Sequence, residues 1–204
     1  KENSISVSLK MTGKFNIMNS LQTAAACLEM RIPEEKVSSA LSTVSGVKGR
    51  CEIIPTGKDY TVICDYAHSP DGIKNILSSL KPFAENRLVC LFGCGGDRDK
   101  TKRPLMAKAA AEYADKLIVT SDNPRNEEPS DIINDILAGL ENSPVPYDVV
   151  ENRRDAIKHA LVTGEKGDII VLAGKGHEDY QVLKGYKRIH FDEREIVAEL
   201  LKEI

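Results

Sequence analysis

Asp122-Asn123-Pro124-Arg125 places an acid, an amide and a guanidinium within one turn of chain, directly after the apolar run 116–121. Such a run reads as a buried parallel strand, and polar groups at its carboxyl end stand where open α/β sheets bind ligands. The Arg125 fork can clamp a carboxylate through two parallel hydrogen bonds, a geometry lysine lacks. A polar turn with an Asn-Pro break and a solvated arginine would use the same residues. Three other segments bear on the choice. Asp65-Tyr66-Ala67-His68-Ser69-Pro70 offers acid, phenol and imidazole before a helix cap. His68 can donate to a phosphate or lie near a base, or it can be incidental to a capping turn. The stretch from Gly93 to Pro104 joins three glycines to Arg98, Lys100, Lys102 and Arg103. Exposed backbone N–H groups and a helix N-terminus suit an anion there, although the spacing is neither G-x-G-x-x-G nor a P-loop. Finally, Gly174 and Gly176 flank Lys175 ahead of His177, Glu178 and Asp179. Glu178 can pair with an ammonium and His177 can orient a neighbour, or the segment is a glycine turn leading into an exposed helix. Together the four segments offer guanidinium groups for a carboxylate and acids for an ammonium. That complements a zwitterionic amino acid, with further cations for phosphate.

Positioning these groups requires alternating strands and helices. Strands are expected at 60–64, 88–92, 117–121, 148–150 and 168–173, and a last one at 188–191. Helices are expected after Ser69-Pro70, over 104–113, 130–140 and 155–161, and around 196–201, with Ile73, Ile76, Leu77 and Leu80 sharing one face of the first. Strands alternating with helices imply α/β architecture with a mostly parallel sheet covered on both faces. Ahead of them, alternation at Ile5, Val7, Leu9 and Met11 predicts a strand, the Ala- and Leu-rich stretch 15–30 a packed helix, and Pro33 the start of another. Three elements bury little core, so residues 1–46 read as part of a domain whose remainder is absent. The glycine-marked junction Ser45-Gly46-Val47-Lys48-Gly49 is the expected boundary.

Composition narrows the classes. The chain has 204 residues, enough for one ordinary domain and part of another. A net charge of −3 argues against nucleic-acid binding through a broad basic surface, and 5% aromatic content with no Trp argues against base-stacking platforms. No apolar run is long enough to span a bilayer and no signal peptide opens the chain. Five cysteines without C-x-x-C spacing suggest reduced, buried thiols in a cytoplasmic protein; Cys94, in the glycine loop, is read as packing. The start at Lys1, inside an alternating run, suggests a fragment.

The set D-Y-A-H-S-P, G-C-G-G-D-R-D-x-x-K-R-P, D-N-P-R and G-K-G-H-E, in this order, resembles the Mur ligases, in particular members that add meso-diaminopimelate to UDP-N-acetylmuramoyl-L-alanyl-D-glutamate. The resemblance covers essentially the whole chain. It implies that residues 1–46 are the tail of a central ATPase domain and 47–204 a Rossmann-like C-terminal domain that binds the incoming amino acid. It implies ATP and magnesium as cofactors, bound mainly by a central domain whose P-loop, magnesium-binding acid and carbamylated lysine have no counterpart here, so the fragment alone should be inactive. The family reaction converts the glutamate carboxylate to an acyl phosphate, which the diaminopimelate amine then attacks. By resemblance Arg98, Asp122, Asn123, Pro124, Arg125, Gly174 and Glu178 contact meso-diaminopimelate, with Arg125 on its distal carboxylate and Glu178 on its distal ammonium. Arg50, Asp65, Tyr66, His68 and Lys102 match nucleotide-side positions, and Asn16 and Asn19 lie near the base. Relatives that add L-lysine act on a substrate lacking that carboxylate, and a buried, unpaired Arg125 would reject it. A lysine-adding Mur ligase, a folylpolyglutamate synthetase and a non-catalytic amino-acid-binding module are the alternatives.

Overall fold

Buried runs of β-branched and aliphatic residues build the centre of the protein. Its structure, a computed structural model, describes residues 4–11, 13–44 and 46–204. Lys1 and Ser45, which mark the expected fragment start and junction, lie outside the described residues. The chain divides into two compact units, Lys1–Val47 and Lys48–Ile204.

The first unit holds helices α1 (Lys14–Glu29) and α2 (Glu34–Thr43). Glu34 and Glu35 occupy the first turn of α2, where the helix dipole favours acids. The segment predicted as a strand around Ile5–Met11 alternates in exposure, and Ile5, Val7 and Leu9 pack on the small cluster Ala24, Val37 and Leu41. Among the described residues it pairs with no strand; besides that packing, its backbone bonds to α2, Ser8 N donating to Ser42 Oγ and Ser6 O accepting from Ser38 Oγ.

The second unit is a six-stranded sheet in the order β1-β2-β6-β3-β4-β5, formed by Glu52–Ile54, Thr61–Asp65, Ile169–Ala173, Leu88–Phe92, Lys116–Val119 and Tyr147–Val149 respectively. Only β1 is antiparallel; the other neighbours run parallel. Helices α3 (Pro70–Leu80), α4 (Lys102–Ala111), α5 (Pro129–Leu137), α6 (Arg153–Val162) and α7 (Glu193–Leu200) cover it. On one face Val62, Cys64, Leu91, Ile170 and Leu172 pack with Ile157, Leu161, Val197 and Leu200 of α6 and α7. The helices α3, α4 and α5 pack side by side as a second group. Burial on both faces explains why the central strands read as continuous apolar runs. Local chemistry sets the helix starts: Ser69 Oγ accepts from Gly72 N with Pro70 at the first position of α3, and Asn152 and Asp192 cap α6 and α7.

Register aligns the strand ends. Asp65 lies opposite Ala173, Leu91 opposite Leu172 and Phe92 opposite Val119, so β2, β6, β3 and β4 end at one edge and their loops share it. Two features depart from the sequence expectation. Helix α4 starts at Lys102, not Pro104, so Lys102 and Arg103 are helical. The last predicted strand, β8 (Lys187–His190), is half of a separate antiparallel hairpin with β7 (Tyr180–Leu183), where an exposed helix start was the alternative considered. No helix among the described residues is long and apolar enough to cross a membrane.

Candidate functional site

Loops from four strand ends and the β7–β8 hairpin enclose a cavity of about 600 Å³. After β2 come Tyr66 and His68; after β3 come Gly93, Cys94, Gly95 and Arg98, with Lys102 opening α4. After β4 come Asp122, Asn123 and Arg125, and after β6 come Gly174 and Glu178. The hairpin adds Tyr180, Val182, Tyr186 and Arg188. Of the residues expected at an amino-acid ligand, all but Pro124 line this space. Pro124 is buried in the turn, its carbonyl accepting from Glu127 N.

Arg125 is half-buried with a left-handed backbone (φ 52°), its N–H donating to Val182 O. The sequence reading had it buried; the open cavity beside it accounts for the difference. Its Nη1 donates to Gly96 O at 2.8 Å, and the guanidinium lies across Gly95, where a Cβ would come within 2.8 Å of Nη1. Nε and Nη2 have no partner among the described residues, which leaves one edge of the fork for a ligand. Arg98 is exposed and donates to its neighbour's carbonyl, Asp97 O, at 3.2 Å.

The loop cations divide into two groups. Arg103, counted with the anion-binding residues from sequence, faces away from the cavity: it is fully buried and bonded to Glu127 at 2.8 and 2.9 Å, Asp135 at 2.8 Å and Gly95 O at 3.2 Å. Lys100 also pairs with Glu127, at 3.0 Å. These cations hold the Glu127 carboxyl down at about 2, Arg103 contributing most. They tie the loop after β3 to the loop after β4. Lys102 reaches the cavity and donates to His68 O.

Asp122 and Asn123 sit over Lys175, which the sequence reading passed over. Lys175 is fully buried; its Nζ donates to Asn123 Oδ1 at 3.0 Å and Tyr180 O at 2.9 Å and lies 3.0 Å from Asp122 Oδ1. Burial alone would raise the Asp122 carboxyl, but Lys175, then Arg153 and Arg125, outweigh it and the net shift is downward. Asn123 Nδ2 donates to Glu178 Oε2 at 3.2 Å. Tyr180 is pushed above its ordinary value by burial first and the Glu178 carboxylate second. Cys94 is buried with its Sγ against Met106 Sδ, and burial pushes its thiol up to about 12, as suits packing.

The nucleotide-side candidates separate as well. The Arg50 guanidinium lies 4.9 Å from the centre of the Tyr66 ring, whose other neighbours are His68 (4.6 Å) and His177 (4.9 Å). Asp65 sits beneath this group, accepting from Cys51 N at 2.7 Å and Ala67 N at 2.8 Å. Burial raises its carboxyl, partly countered by those donors, and neither Asp65 nor Arg50 lines the cavity. Asn16 and Asn19 are on α1, in the other unit. Below the strand ends, Arg153 and Glu193 form a fully buried pair, Arg153 also donating to Ser121 O and Ala173 O. The residues missed from sequence are Lys175, Tyr180, Val182, Tyr186 and Arg188. Alternation of Tyr180 with Val182, followed by Gly185, was the available signal for the hairpin.

Fold and site together define an α/β domain with a ligand cavity at the carboxyl edge of a parallel sheet, lined by charges of both signs. Residues 49–176 match the family described as Mur ligase, glutamate ligase domain, and the chain belongs to that family. It is 50% identical over 200 residues to UDP-N-acetylmuramoyl-L-alanyl-D-glutamate–2,6-diaminopimelate ligase 1 of Clostridium acetobutylicum, covering 97% of this chain and 41% of that protein. The ligase of the same name from Clostridium botulinum is 51% identical, again with 97% and 41% covered. A solved structure of a UDP-N-acetylmuramoyl-L-alanyl-D-glutamate–2,6-diaminopimelate ligase superposes with a TM-score of 0.76 at 35% identity, over 100% of this chain and 41% of that one. The chain thus spans 41% of the length of these relatives.

Proposed function

We propose that this chain is the amino-acid-binding part of an ATP-dependent ligase of peptidoglycan synthesis, which joins meso-diaminopimelate to UDP-N-acetylmuramoyl-L-alanyl-D-glutamate. The observation that carries the reading is the cavity that gathers Arg98, Arg125, Asp122 and Glu178 at one sheet edge. A zwitterionic end group needs a carboxylate partner and an ammonium partner side by side. Arg125, with one edge of its fork uncommitted and Arg98 near it in the cavity wall, suits the distal carboxylate. Glu178 suits the distal ammonium. The relatives with these names favour the same substrate, and the five cysteines, none in a disulfide, fit the reducing cytoplasm.

The cofactors fit this chain unequally. The half-buried Tyr66 ring between exposed Arg50 and His68, with Lys102 close by, offers aromatic faces and cations of the kind that take a nucleotide's base and phosphates. Asn16 and Asn19 belong to the base side by family resemblance. When bound, ATP supplies the phosphoryl group that activates the glutamate carboxylate. Magnesium is assigned to the central domain by family resemblance; among the described residues no group of three or more His, Cys, Asp or Glu is placed to hold a metal ion. This chain's contribution is to bind the amino acid, orient its reacting amine and exclude competitors, which is catalysis by positioning.

Calorimetry of meso-diaminopimelate against L-lysine on the full-length protein tests the reading. Selective binding of meso-diaminopimelate is expected, because lysine leaves the Arg125 edge without its carboxylate. Equal affinity for the two would overturn it.

A further inference from the structure

Lys175 stands between Gly174 (φ 119°) and Gly176 (φ 53°) in the loop after β6. This turn directs its side chain under the cavity, where Nζ is fully enclosed. At Gly176 a Cβ would meet Tyr66 Cβ at 2.6 Å and Gly49 O at 2.7 Å, so the turn admits no larger residue without movement. The ammonium donates to Asn123 Oδ1 and Tyr180 O, and Asp122 Oδ1, which has no hydrogen-bond partner among the described residues, pairs with it by charge at 3.0 Å. Glu178 Oε2 lies slightly farther off, at 3.6 Å. One cation therefore joins the loop after β4, the loop after β6 and strand β7.

Two consequences follow for Glu178. Asn123 Oδ1 accepts from both Lys175 Nζ and Val182 N (2.9 Å), which fixes the amide orientation and turns Nδ2 toward Glu178 Oε2. Without Lys175 the amide loses one of the two donors that hold its oxygen inward. The second consequence is electrostatic. Asp122 and Glu178 bring two negative charges to one end of the cavity, and Lys175 cancels one. Arg153 does not change that balance, because Glu193 matches it. Asp122, Glu178 and Lys175 together carry one net negative charge, suited to one ligand ammonium, while Arg125 and Arg188 elsewhere in the lining are cations for carboxylates.

We propose that Lys175 is a positioning residue for amine recognition: from beneath the cavity it fixes the Asn123 amide and neutralises Asp122, so that Glu178 presents a single carboxylate to the ligand ammonium. The inference rests on the amino-acid-binding reading above and deepens it. Lys175 does not touch the ligand; it acts through Asn123 and Glu178.

The test compares meso-diaminopimelate with 2-aminopimelate, which keeps the distal carboxylate and lacks the distal amine, on the full-length protein and its Lys175→Met variant. The parent should favour meso-diaminopimelate by about 10- to 100-fold, the range of a charge-assisted hydrogen bond. In Lys175→Met the KM for meso-diaminopimelate should rise toward that for 2-aminopimelate, while the KM for ATP stays within about twofold and kcat falls less than kcat/KM. A merely structural role would weaken both ligands by the same factor, and that result overturns the proposal. A parent that binds neither ligand refutes the site reading itself, a distinguishable failure. Because an unpaired buried Asp122 could unfold the single variant, the same comparison between Asp122→Asn and Asp122→Asn/Lys175→Met replaces it if Lys175→Met does not fold. Loss of the remaining amine preference on removing Lys175 in that background supports the proposal, and an unchanged preference overturns it.

Discussion

Arg125 holds its guanidinium in place through Gly96 O and keeps the rest of the fork for a ligand. Truncation should therefore act on the amino acid. Arg125→Ala in the full-length enzyme is expected to raise the KM for meso-diaminopimelate about 10- to 100-fold, from a charged hydrogen-bond contribution of about 1.5–3 kcal/mol, with ATP binding retained. Arg125→Lys should not restore it, since an ammonium cannot reproduce the two-pronged geometry. Steady-state kinetics with each substrate varied separately would decide the matter, and full activity of the lysine variant would count against the clamp. Glu127 carries a different prediction. Its folded-state value, about 2, lies below the ordinary 4.5, so its stabilisation is fully present above about pH 4.5 and disappears as pH falls through about 2. Urea titrations of parent and Glu127→Gln should thus differ most at pH 6 and converge by pH 2; a gap that persists at pH 2 would exclude this charge as its source. The polar character of these loops was legible in the sequence because four such loops follow apolar strands of one parallel sheet and so share its carboxyl edge. Which polar group meets which was not. Asp122 and Lys175 are far apart in the chain, and nothing local distinguishes Arg103, buried on acids, from Lys102 beside it, which reaches the cavity.

The elements that carry the site are held by close backbone approach as much as by charge. Gly96 N donates to Asn123 O, and a Cβ on Gly96 would come within 1.9 Å of Pro124 O. Gly96→Ala must push the loops after β3 and β4 apart, at about 1–3 kcal/mol, and so should lower the unfolding midpoint and weaken amino-acid binding together. Gly185, at the tip of the β7–β8 hairpin, has the positive φ that Gly96 lacks, and has open space around it. Gly185→Ala should cost only the left-handed backbone strain, about 1 kcal/mol, and leave the loops after β3 and β4 undisturbed. Equal losses of binding in the two variants would show that loop separation is not what matters. The central strands and their helices were readable because burial on both faces leaves long apolar runs and because Ser69, Pro70 and Pro129 mark helix starts. Strand β1, strand β7 and its pairing with β8 were not: β1 has three residues, and β8, although expected as a strand, is mostly exposed, with one apolar residue, Ile189, among Lys187, Arg188 and His190. Each pairs with its neighbour in the chain across a short loop, without a strong apolar pattern to announce it.

At the scale of the whole chain, the two compact units differ in how much they bury for themselves. Residues 48–204 own a large core in which Val62, Leu91, Ile118, Ile170 and Leu172 are inaccessible. Residues 1–47 centre on Ala24, Val37 and Leu41, while Ile17, Met18, Leu21 and Met30 of the first unit remain about half exposed or more. The reading of 15–30 as a packed helix thus holds on one side only. A unit with so small a core cannot offset the entropy of ordering its own chain. Protection against hydrogen exchange should therefore be graded along the molecule. Amides of β2, β3, β4 and β6 should exchange only on global unfolding, and those of α1 and α2 through local opening. An opening free-energy gap of about 4 kcal/mol, modest against a global stability of about 5–15 kcal/mol, makes α1 exchange roughly 1000-fold faster than β3. Mass-resolved exchange on the 204-residue chain measures this directly. Comparable protection in α1 and β3 would mean that the first unit draws stability from more than the cluster at Val37 and Leu41.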